Sequence, residues 1–270
     1  MKAYDRLARF YEPEWSSFSE RFAPMIDTLV ARHARESACV LDIACGMGTL
    51  ALALARRGHT VHGIDHSETM VERARACAAG VSGVSFSVGD MRGPLPAGIP
   101  VRANESSVRP DRRFDAVTCT FDSINYLTSP DDVLTMMRAV GDVLPSGGLF
   151  VFDSNTVRMY RTHEDGIYEH ELDGEVFYQE TYYDRQVGQA TTVFRFDDGA
   201  LEVHRQRPYD LAELETLLVR SGFRVLETYS GIAFEPDCDE CDRVVVVASK
   251  SVSDGESGMS DRETPGRRAK

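Results

Sequence analysis

The chain lacks a long apolar segment and has no excess of basic residues. None of its hydrophobic runs approaches the roughly 20 residues of a membrane-spanning helix, and residues 1–6 lack the apolar core of a signal peptide. Lysine and arginine number 30 against 43 aspartates and glutamates, which gives a net charge of −13. Because nucleic acids bind to basic surfaces, we expect a cytoplasmic protein with neither membrane nor nucleic acid among its partners.

Cysteine is also scarce, with six residues in a chain of 270. Four fall on elements that we expect to be buried, namely Cys39, Cys45, Cys77 and Cys119. Free buried thiols suit a reducing compartment. The remaining two, Cys238 and Cys241, have Cys-x-x-Cys spacing, but a zinc site normally needs a second pair and a redox motif opens a helix after a strand. We therefore expect no metal and interpret this pair as incidental thiols of a loop.

Strand-like and helix-like segments alternate over the first 155 residues. Strands are predicted near residues 38–44, 60–64, 84–88, 114–120 and 148–153, with helical spacing of apolar residues between them. Two more strands, near 223–229 and 243–249, follow a leucine-rich helix. Alternation of this length is typical of a parallel sheet with helices on both faces.

The pattern differs on either side of this core. Residues 4–36 are predicted to form two helices, because Pro13 and Pro24 interrupt the helical spacing. After Asn155, four strand-like runs separated by turn residues predict an antiparallel meander. We divide the chain into an N-terminal helical lid (1–36), an α/β core (37–155 and 208–250), a β-meander that forms an acceptor lobe (156–207) and a disordered tail (251–270).

The turn that follows the first strand carries the clearest functional signal. The strand bears Asp42, and the chain then passes through Gly46 and Gly48 into an Ala/Leu-rich helix. Glycines allow close approach of a ligand to the backbone, and the helix N-terminus presents unpaired N–H groups. The second strand ends in Asp65, where an acid can bind both hydroxyls of a ribose. This arrangement predicts a nucleoside-containing cofactor.

The same glycines fit the dinucleotide pattern G-x-G-x-x-A, which leaves NAD as an alternative. The acid within the first strand and the helices before it argue against NAD. Five ordered motifs instead resemble those of class I S-adenosylmethionine-dependent methyltransferases. They are Asp42-Ile43-Ala44-Cys45-Gly46-Met47-Gly48, Gly63-Ile64-Asp65, Val88-Gly89-Asp90-Met91, Phe114-Asp115-Ala116-Val117 and Leu144-Pro145-Ser146-Gly147-Gly148.

The resemblance spans roughly residues 4–249 and extends to the small-molecule branch of the family, which includes N-methyltransferases of amino sugars and small amines. Three segments are similar to that branch, namely Tyr4–Tyr11, Phe121–Leu127 and His204–Tyr209. The resemblance implies a Rossmann-like, seven-stranded, mostly parallel sheet with helices on both faces. It also implies a helical lid and a meander inserted after strand five.

For the methionine and ribose portions of S-adenosylmethionine, the resemblance implies four binding residues. The sequence departs from the family pattern at one further position. Gly46 and Gly48 would admit the methionine portion, Asp42 would stabilise its amino group, and Asp65 would accept from the ribose hydroxyls. Ala44 stands where many members have glycine, which is tolerated if its φ is negative.

For the adenine and the pocket walls, it implies five further residues. His66 and Met70 would lie against the adenine, Asp90 and the Met91 N–H would bind its edge, and Phe121 would line the pocket. Each has a structural alternative: Asp90 as the cap of a turn, Met70 as core and His66 as a helix-entry residue.

The N-terminus and the meander supply the remaining candidates. The resemblance implies that Tyr4 and Tyr11 close over the methionine end; the alternative is that one of them only packs against its neighbours. His204 is the candidate general base, because histidine removes protons near neutral pH, with a hydrogen-bonded strand residue as the alternative. Arg205 and Arg207 would bind an anionic substrate or pair with surface acids. Other candidate bases on the meander are Tyr178, Tyr182 and Tyr183.

These features predict methyl transfer to a nitrogen or oxygen of a small metabolite by in-line displacement. Three alternatives remain open: another reaction of the same cofactor such as cyclisation, an NAD-dependent oxidoreductase, and a non-catalytic cofactor-binding protein. The free edges of the meander also allow a homo-oligomer. The motifs identify the donor and leave the acceptor open.

Overall fold

The structure is a computed structural model. It describes residues 4, 6–98, 114–162, 166–172, 174–236 and 241–252, with the side chains of residues 12–17 left out. Cys238, residues 99–113 and most of the predicted tail at 251–270 lie outside these residues. Among the helices that are described, none has the length and apolarity needed to cross a membrane.

Helices and strands alternate through the first part of the chain. In order they are α1 (Tyr11–His33), β1 (Cys39–Ile43), α2 (Thr49–Ala55), β2 (Thr60–Asp65), α3 (Glu68–Cys77), β3 (Val84–Val88), β4 (Ala116–Cys119), α4 (Pro130–Val143) and β5 (Leu149–Asn155). The second part contains α5 (Val157–Thr162), β6 (Ile167–Leu172), β7 (Glu175–Asp184), β8 (Gln189–Phe196), β9 (Leu201–Gln206), α6 (Leu211–Arg220), β10 (Phe223–Ser230), β11 (Glu235–Pro236) and β12 (Arg243–Lys250).

The main sheet has the strand order β11-β10-β12-β5-β4-β1-β2-β3. Strands β1 to β5 pair in parallel, whereas β12 is antiparallel to both β5 and β10. This order confirms the predicted Rossmann-like α/β fold and all seven predicted strands. The eighth strand, β11, is only two residues long, which is too short for a periodic signal. Strand β1 lies between β2 and β4, so the order in which strands are added to the sheet reverses at β1. At such a point a crevice opens at the carboxyl ends of the strands.

Apolar residues cover both faces of this sheet. Alternate residues of β5 point to opposite sides, with Phe150 and Phe152 in one core cluster and Leu149 and Val151 in the other. Helices α4 and α6 cover the first face, whereas α1, α2 and α3 cover the second. Cys77 differs from expectation because it is exposed at the end of α3.

The N-terminal segment forms one long helix, so the prediction of two helices divided by prolines was wrong. A short 3-10 turn over Leu7–Arg9 leads into α1, which contains both Pro13 and Pro24. Pro13 lies in the first turn, where backbone N–H groups have no partner within the helix. Pro24 removes one donor to the carbonyl of Glu20, and Glu20 is an exposed residue.

The meander is a separate four-stranded antiparallel sheet in the order β6-β7-β8-β9, as predicted. Its register places Tyr178 and Tyr182 on the outer face, where both are exposed. Tyr183 and His204 lie on the opposite face, and the Tyr183 ring stacks on Tyr160. The structure therefore removes Tyr178 and Tyr182 from the candidate bases.

Phe86 on β3 fills the space beside two glycines, Gly63 on β2 and Gly48 in the turn before α2. A Cβ atom on Gly63 would lie 2.5 Å from Cδ1 of Phe86 and 2.8 Å from Sγ of Cys45. A Cβ on Gly48 would also collide with the Phe86 ring, and the φ of Gly48 is +77°. Packing against Phe86 therefore requires glycine at both positions.

We predict that Gly63→Ala lowers the free energy of unfolding by about 1–3 kcal/mol, because the added methyl overpacks the core. Gly141→Ala is the matched control, since its new Cβ would meet Phe223 at an ordinary 3.5 Å within α4. Alanine favours a helix over glycine by about 1 kcal/mol, so Gly141→Ala should stabilise the protein. Urea unfolding measures both variants, and equal effects of the two substitutions would contradict this packing.

Candidate active site

A cavity of about 260 Å³ opens where β1, β2 and β4 end. Of the predicted cofactor-binding residues, eleven line it: Tyr4, Tyr11, Asp42, Ala44, Gly46, Asp65, His66, Met70, Asp90, Met91 and Phe121. Gly48 and His204 are not among its lining residues. The structure thus brings together side chains from the N-terminal segment, the glycine turn and three strand ends.

The Asp65 carboxylate is buried and anchors the glycine turn. Its Oδ2 accepts the Gly46 N–H at 2.9 Å, and its Oδ1 accepts the Ser67 N–H at 2.9 Å. Burial raises the pKa of Asp65 above its usual range, although these backbone donors act in the opposite direction. Because each carboxylate oxygen can accept a second hydrogen bond, the group can bind a pair of hydroxyls while it holds the turn.

Asp42 is a second buried carboxylate on the adjacent strand. The Thr118 hydroxyl on β4 donates to its Oδ1 at 2.7 Å. Burial raises the pKa of Asp42 to about 7, and the nearby Asp65 contributes to the same shift. A buried carboxylate of this kind favours a cationic partner, because a positive charge offsets the cost of its ionisation.

The turn between these acids has three left-handed residues. Ala44 has φ +55°, so the condition under which alanine would be tolerated without strain, a negative φ, is not met. The conformation costs a non-glycine residue about 1–2 kcal/mol, and strain of this kind is typical of functional sites. Gly46 has φ +53° and faces open space, whereas the position for a Cβ on Gly48 is blocked by Phe86. Gly46 therefore suits a ligand, and Gly48 serves the packing of the turn.

The far end of the cavity contains Asp90, which pairs with its neighbour Arg92. The Arg92 Nη2 lies 2.7 Å from Asp90 Oδ2, and the Arg92 backbone N–H donates to Oδ1 at 2.9 Å. The arginine holds the pKa of Asp90 below its usual range. Asp90 thus caps its turn, as the alternative interpretation had it, and also lines the cavity. Met70 likewise combines two roles, because it is buried with Ala8 and also faces the cavity.

An ionic network shapes the wall after β4. Phe121 and Asp122 are both left-handed, with φ of +61° and +50°, and the buried Asp153 carboxylate accepts both of their backbone N–H groups at 2.6 and 2.9 Å. The Arg243 guanidinium binds Asp153 and also donates to Asp122 at 2.8 Å. It lies over the Phe18 ring at 4.6 Å. These contacts hold Phe121 against the cavity from two distant strands.

The N-terminal segment forms the remaining wall. The Tyr4 and Tyr11 rings meet edge to face at 5.8 Å. The hydroxyl of Tyr4 lies 2.8 Å from that of Tyr126, a lining residue that the motifs did not single out. Burial raises the pKa of all three tyrosines. The similarity of Phe121–Leu127 to the small-molecule branch of the family is the one sequence signal that points to Tyr126.

The meander supports this wall without lining the cavity. His204 is buried outside the residues that line the cavity, and its ring bonds to Tyr126 and Glu202 at 2.8 and 2.7 Å. Its two bonds match the alternative of a hydrogen-bonded strand histidine. Arg207 pairs with Glu213 at 3.0 Å, which is the surface pairing that we expected.

We predict that Asp42→Asn stabilises the free protein more at pH 8 than at pH 5. Asparagine keeps an oxygen for Thr118 and removes the charge. Because the folded-state pKa is raised to about 7 from 3.8, ionisation of Asp42 opposes folding increasingly as pH rises through this interval. The gain in free energy of unfolding should be about 4 kcal/mol at pH 8 and about 2 kcal/mol at pH 5.

Urea unfolding at both pH values measures this gain. Asp142→Asn, on an exposed position of α4, is the control and should change little at either pH. A gain for Asp42→Asn that does not depend on pH would show that Asp42 ionises normally in the fold.

Comparisons with known proteins agree with this geometry. Residues 40–148 match the model of a methyltransferase domain. A protein of Geobacillus sp. (strain WCH70), named a putative methyltransferase, is 30% identical over 249 residues, which cover 87% of this chain and 92% of that protein. A dTDP-3-amino-3,6-dideoxy-alpha-D-glucopyranose N,N-dimethyltransferase of Streptomyces fradiae is 33% identical over 132 residues, covering 48% of this chain and 45% of that protein.

Solved structures share the whole fold. An S-adenosylmethionine-dependent methyltransferase from Clostridium acetobutylicum superposes with a TM-score of 0.74 at 20% identity, over 92% of this chain and 99% of that chain. An amino pentose methyltransferase from Micromonospora echinaspora, solved with S-adenosylmethionine bound, gives a TM-score of 0.62 at 19% identity, over 90% of this chain and 95% of that chain. The chain therefore belongs to the methyltransferase family, with the fold of the class I S-adenosylmethionine-dependent enzymes that its motifs resemble.

Proposed function

We propose that the enzyme binds S-adenosylmethionine in this cavity and transfers the methyl group to an amine nitrogen of a small metabolite. The observation that carries the proposal is the pair of buried carboxylates at adjacent strand ends. Asp65 keeps lone pairs for two hydroxyls while it holds the Gly46 and Ser67 N–H groups. Asp42 favours a cation, and the ligand's amino group is one.

The rest of the donor set fits the same ligand. Gly46 leaves open space along the backbone, and the Met70 and Phe121 side chains offer apolar walls. When bound, the sulfonium supplies an activated methyl group. The protein's contribution is then positioning, which can supply roughly 7–11 kcal/mol of the barrier when a nucleophile is held in line.

The N-terminal segment, as the lid over residues 1–36, excludes water from this reaction. The buried Glu202 carboxylate accepts the backbone N–H groups of Tyr4 and Arg6 at 2.6 and 2.8 Å. These bonds tie the segment to β9 while Tyr4 and Tyr11 cover the cavity. The meander at 156–207 thus serves the acceptor side chiefly by holding the lid.

An amine is the acceptor that the observations favour. The relative from Streptomyces fradiae acts on a nucleotide-linked amino sugar by its name, and the Micromonospora echinaspora structure is that of an amino pentose enzyme. The tyrosine hydroxyls at the cavity wall can accept hydrogen bonds from an N–H group. Oxygen remains the second candidate atom.

We infer that the enzyme acts in the cytoplasm and has no nucleic-acid or membrane partner. The buried thiols of Cys39 and Cys119 suit a reducing environment, and the net charge of −13 disfavours nucleic acids. Strands β6 and β9 form the edges of the meander sheet, which supports a homo-oligomer as a further proposal.

Calorimetric titration with S-adenosylhomocysteine tests the cofactor site. We predict binding by the native chain and a loss of about 10- to 150-fold in affinity for Asp65→Asn, because a charged hydrogen-bond acceptor contributes about 1.5–3 kcal/mol. Asp142→Asn should bind like the native chain. Binding of NAD in place of S-adenosylhomocysteine would overturn the proposal.

The acceptor class is tested by incubating the enzyme and S-adenosylmethionine with dTDP-3-amino-3,6-dideoxy-glucopyranose. Mass spectrometry should show a gain of one or two methyl groups on the sugar nitrogen. Cofactor consumption without a methylated product would indicate a non-methylating reaction of the same site. Binding without any consumption would indicate a cofactor-binding protein.

A further inference from the structure

A continuous line of hydrogen bonds runs from the cavity wall to a buried carboxylate on the meander. The Tyr4 and Tyr126 hydroxyl oxygens are 2.8 Å apart, and the Tyr126 oxygen lies 2.8 Å from Nδ1 of His204. The other ring nitrogen, Nε2, lies 2.7 Å from Oε1 of Glu202. Both tyrosines line the cavity, whereas His204 and Glu202 are buried behind them.

When His204 is neutral, the chemistry of the buried end sets the direction of every bond in this line. Glu202 accepts three backbone N–H groups, from Tyr4, Arg6 and Leu7. Burial acts to raise its pKa, but the His204 ring and the Arg6 and Leu7 N–H groups outweigh burial and lower it. An ionised Glu202 can only accept, so Nε2 of His204 carries the proton that faces it.

A neutral imidazole with its proton on Nε2 must accept at Nδ1. The Tyr126 hydroxyl therefore donates to Nδ1, and its oxygen accepts from the Tyr4 hydroxyl. The Tyr4 oxygen is left with lone pairs at the end of the line, on the residue that lines the cavity. The line thus presents an acceptor of hydrogen bonds to the cavity, which suits a substrate that arrives as a donor.

We propose that Tyr4, Tyr126 and His204 form a proton relay that deprotonates an ammonium acceptor before methyl transfer, with Glu202 stabilising the resulting imidazolium. This inference rests on the proposed function and deepens it, because it selects an N–H donor as substrate. Tyr4 is the group that contacts the substrate. His204 acts through the tyrosines and is a positioning residue that also stores the proton.

The proton balance closes without a further reactant. The ammonium proton passes to the Tyr4 oxygen, the Tyr4 proton to the Tyr126 oxygen, and the Tyr126 proton to Nδ1 of His204. The neutral amine then forms a C–N bond to the methyl carbon as the C–S bond breaks, which leaves a thioether and a methylated ammonium. The imidazolium returns its proton along the same line to water when the product leaves.

The surroundings of His204 suit this role. The titratable groups that contact it are Glu202 on its own strand, Tyr126 before α4 and Tyr4 on the N-terminal segment. Its neighbours on β8 are Thr192 and Phe194, which carry no charge. Burial raises the pKa of both tyrosines, so they pass a proton on and do not hold a negative charge.

The relay is tested by the pH dependence of kcat in His204→Gln, which preserves a hydrogen-bonding side chain and removes the capacity to take up a proton. The probe is dTDP-3-amino-3,6-dideoxy-glucopyranose. At pH 7 we expect kcat to fall about tenfold, because about one-tenth of an amine of pKa about 8 is neutral at that pH. At pH 9.5 the deficit should shrink to about threefold or less, because an amine of pKa about 8 then arrives neutral.

Two variants control this measurement. His170→Gln makes the same change on β6, outside the residues that line the cavity, and should keep kcat within about twofold at both pH values. Tyr126→Phe keeps the ring and breaks the line, so it should show the same recovery at high pH and serves if His204→Gln does not fold. A deficit of equal size at pH 7 and 9.5 would assign His204 a merely structural role and overturn the relay.

The relay and the proposed function fail in different ways. If the native chain binds S-adenosylhomocysteine but does not methylate the probe, the proposed acceptor is wrong, and 15N NMR of the histidines in that complex decides the relay. We expect the proton on Nε2 of His204 and a shift of the Nδ1 signal in Tyr126→Phe. A proton on Nδ1 of neutral His204 would reverse the line and overturn the inference.

Discussion

Two carboxylates buried at one edge of a parallel sheet are the constraint on which the site depends. Parallel pairing of β1 with β2 brings Asp42 and Asp65 to neighbouring strand ends. Their desolvation opposes ionisation and raises both pKa values, so the fold must supply donors. Thr118 and the Gly46 and Ser67 N–H groups supply them. A site of this kind sacrifices stability of the free protein for strong attraction of a ligand with hydroxyls and a cation.

Residues with a strained, left-handed backbone lie at the same edge of the sheet. Ala44, Phe121 and Asp122 are left-handed non-glycine residues, and all three adjoin the cavity or its wall. Phe121 and Asp122 are held by Asp153 on β5 and Arg243 on β12. In sites that must remain preorganised, a strained turn is often held in place by several surrounding contacts.

The meander contacts residues of the cavity wall on the side that faces away from the cavity. None of its described residues lines the cavity, yet Glu202 ties down the N-terminal segment and His204 reaches Tyr126. The N-terminal segment and the cavity wall at Tyr126 therefore both contact one strand, β9. A shift of this strand would therefore move both of them together.

The sequence by itself determined the α/β core, the glycine turn, both buried acids and the family. These signals are local, because a strand, a turn and a helix follow one another within a few residues and each has its own periodicity. The same local reasoning was wrong about the N-terminal prolines, since only the folded helix shows that Pro13 lies in its first turn and that Glu20, whose carbonyl loses its donor at Pro24, is exposed.

Only the tertiary structure decided which residues meet at the acceptor side. Tyr126 and His204 are 78 residues apart, and Tyr4 and Glu202 are 198 apart. Strand alternation limits His204 to one of two faces, but the pairing register decides which face is buried, and it turned Tyr178 and Tyr182 outward. Contacts across such separations depend on how whole sheets pack, which no local pattern of side chains encodes.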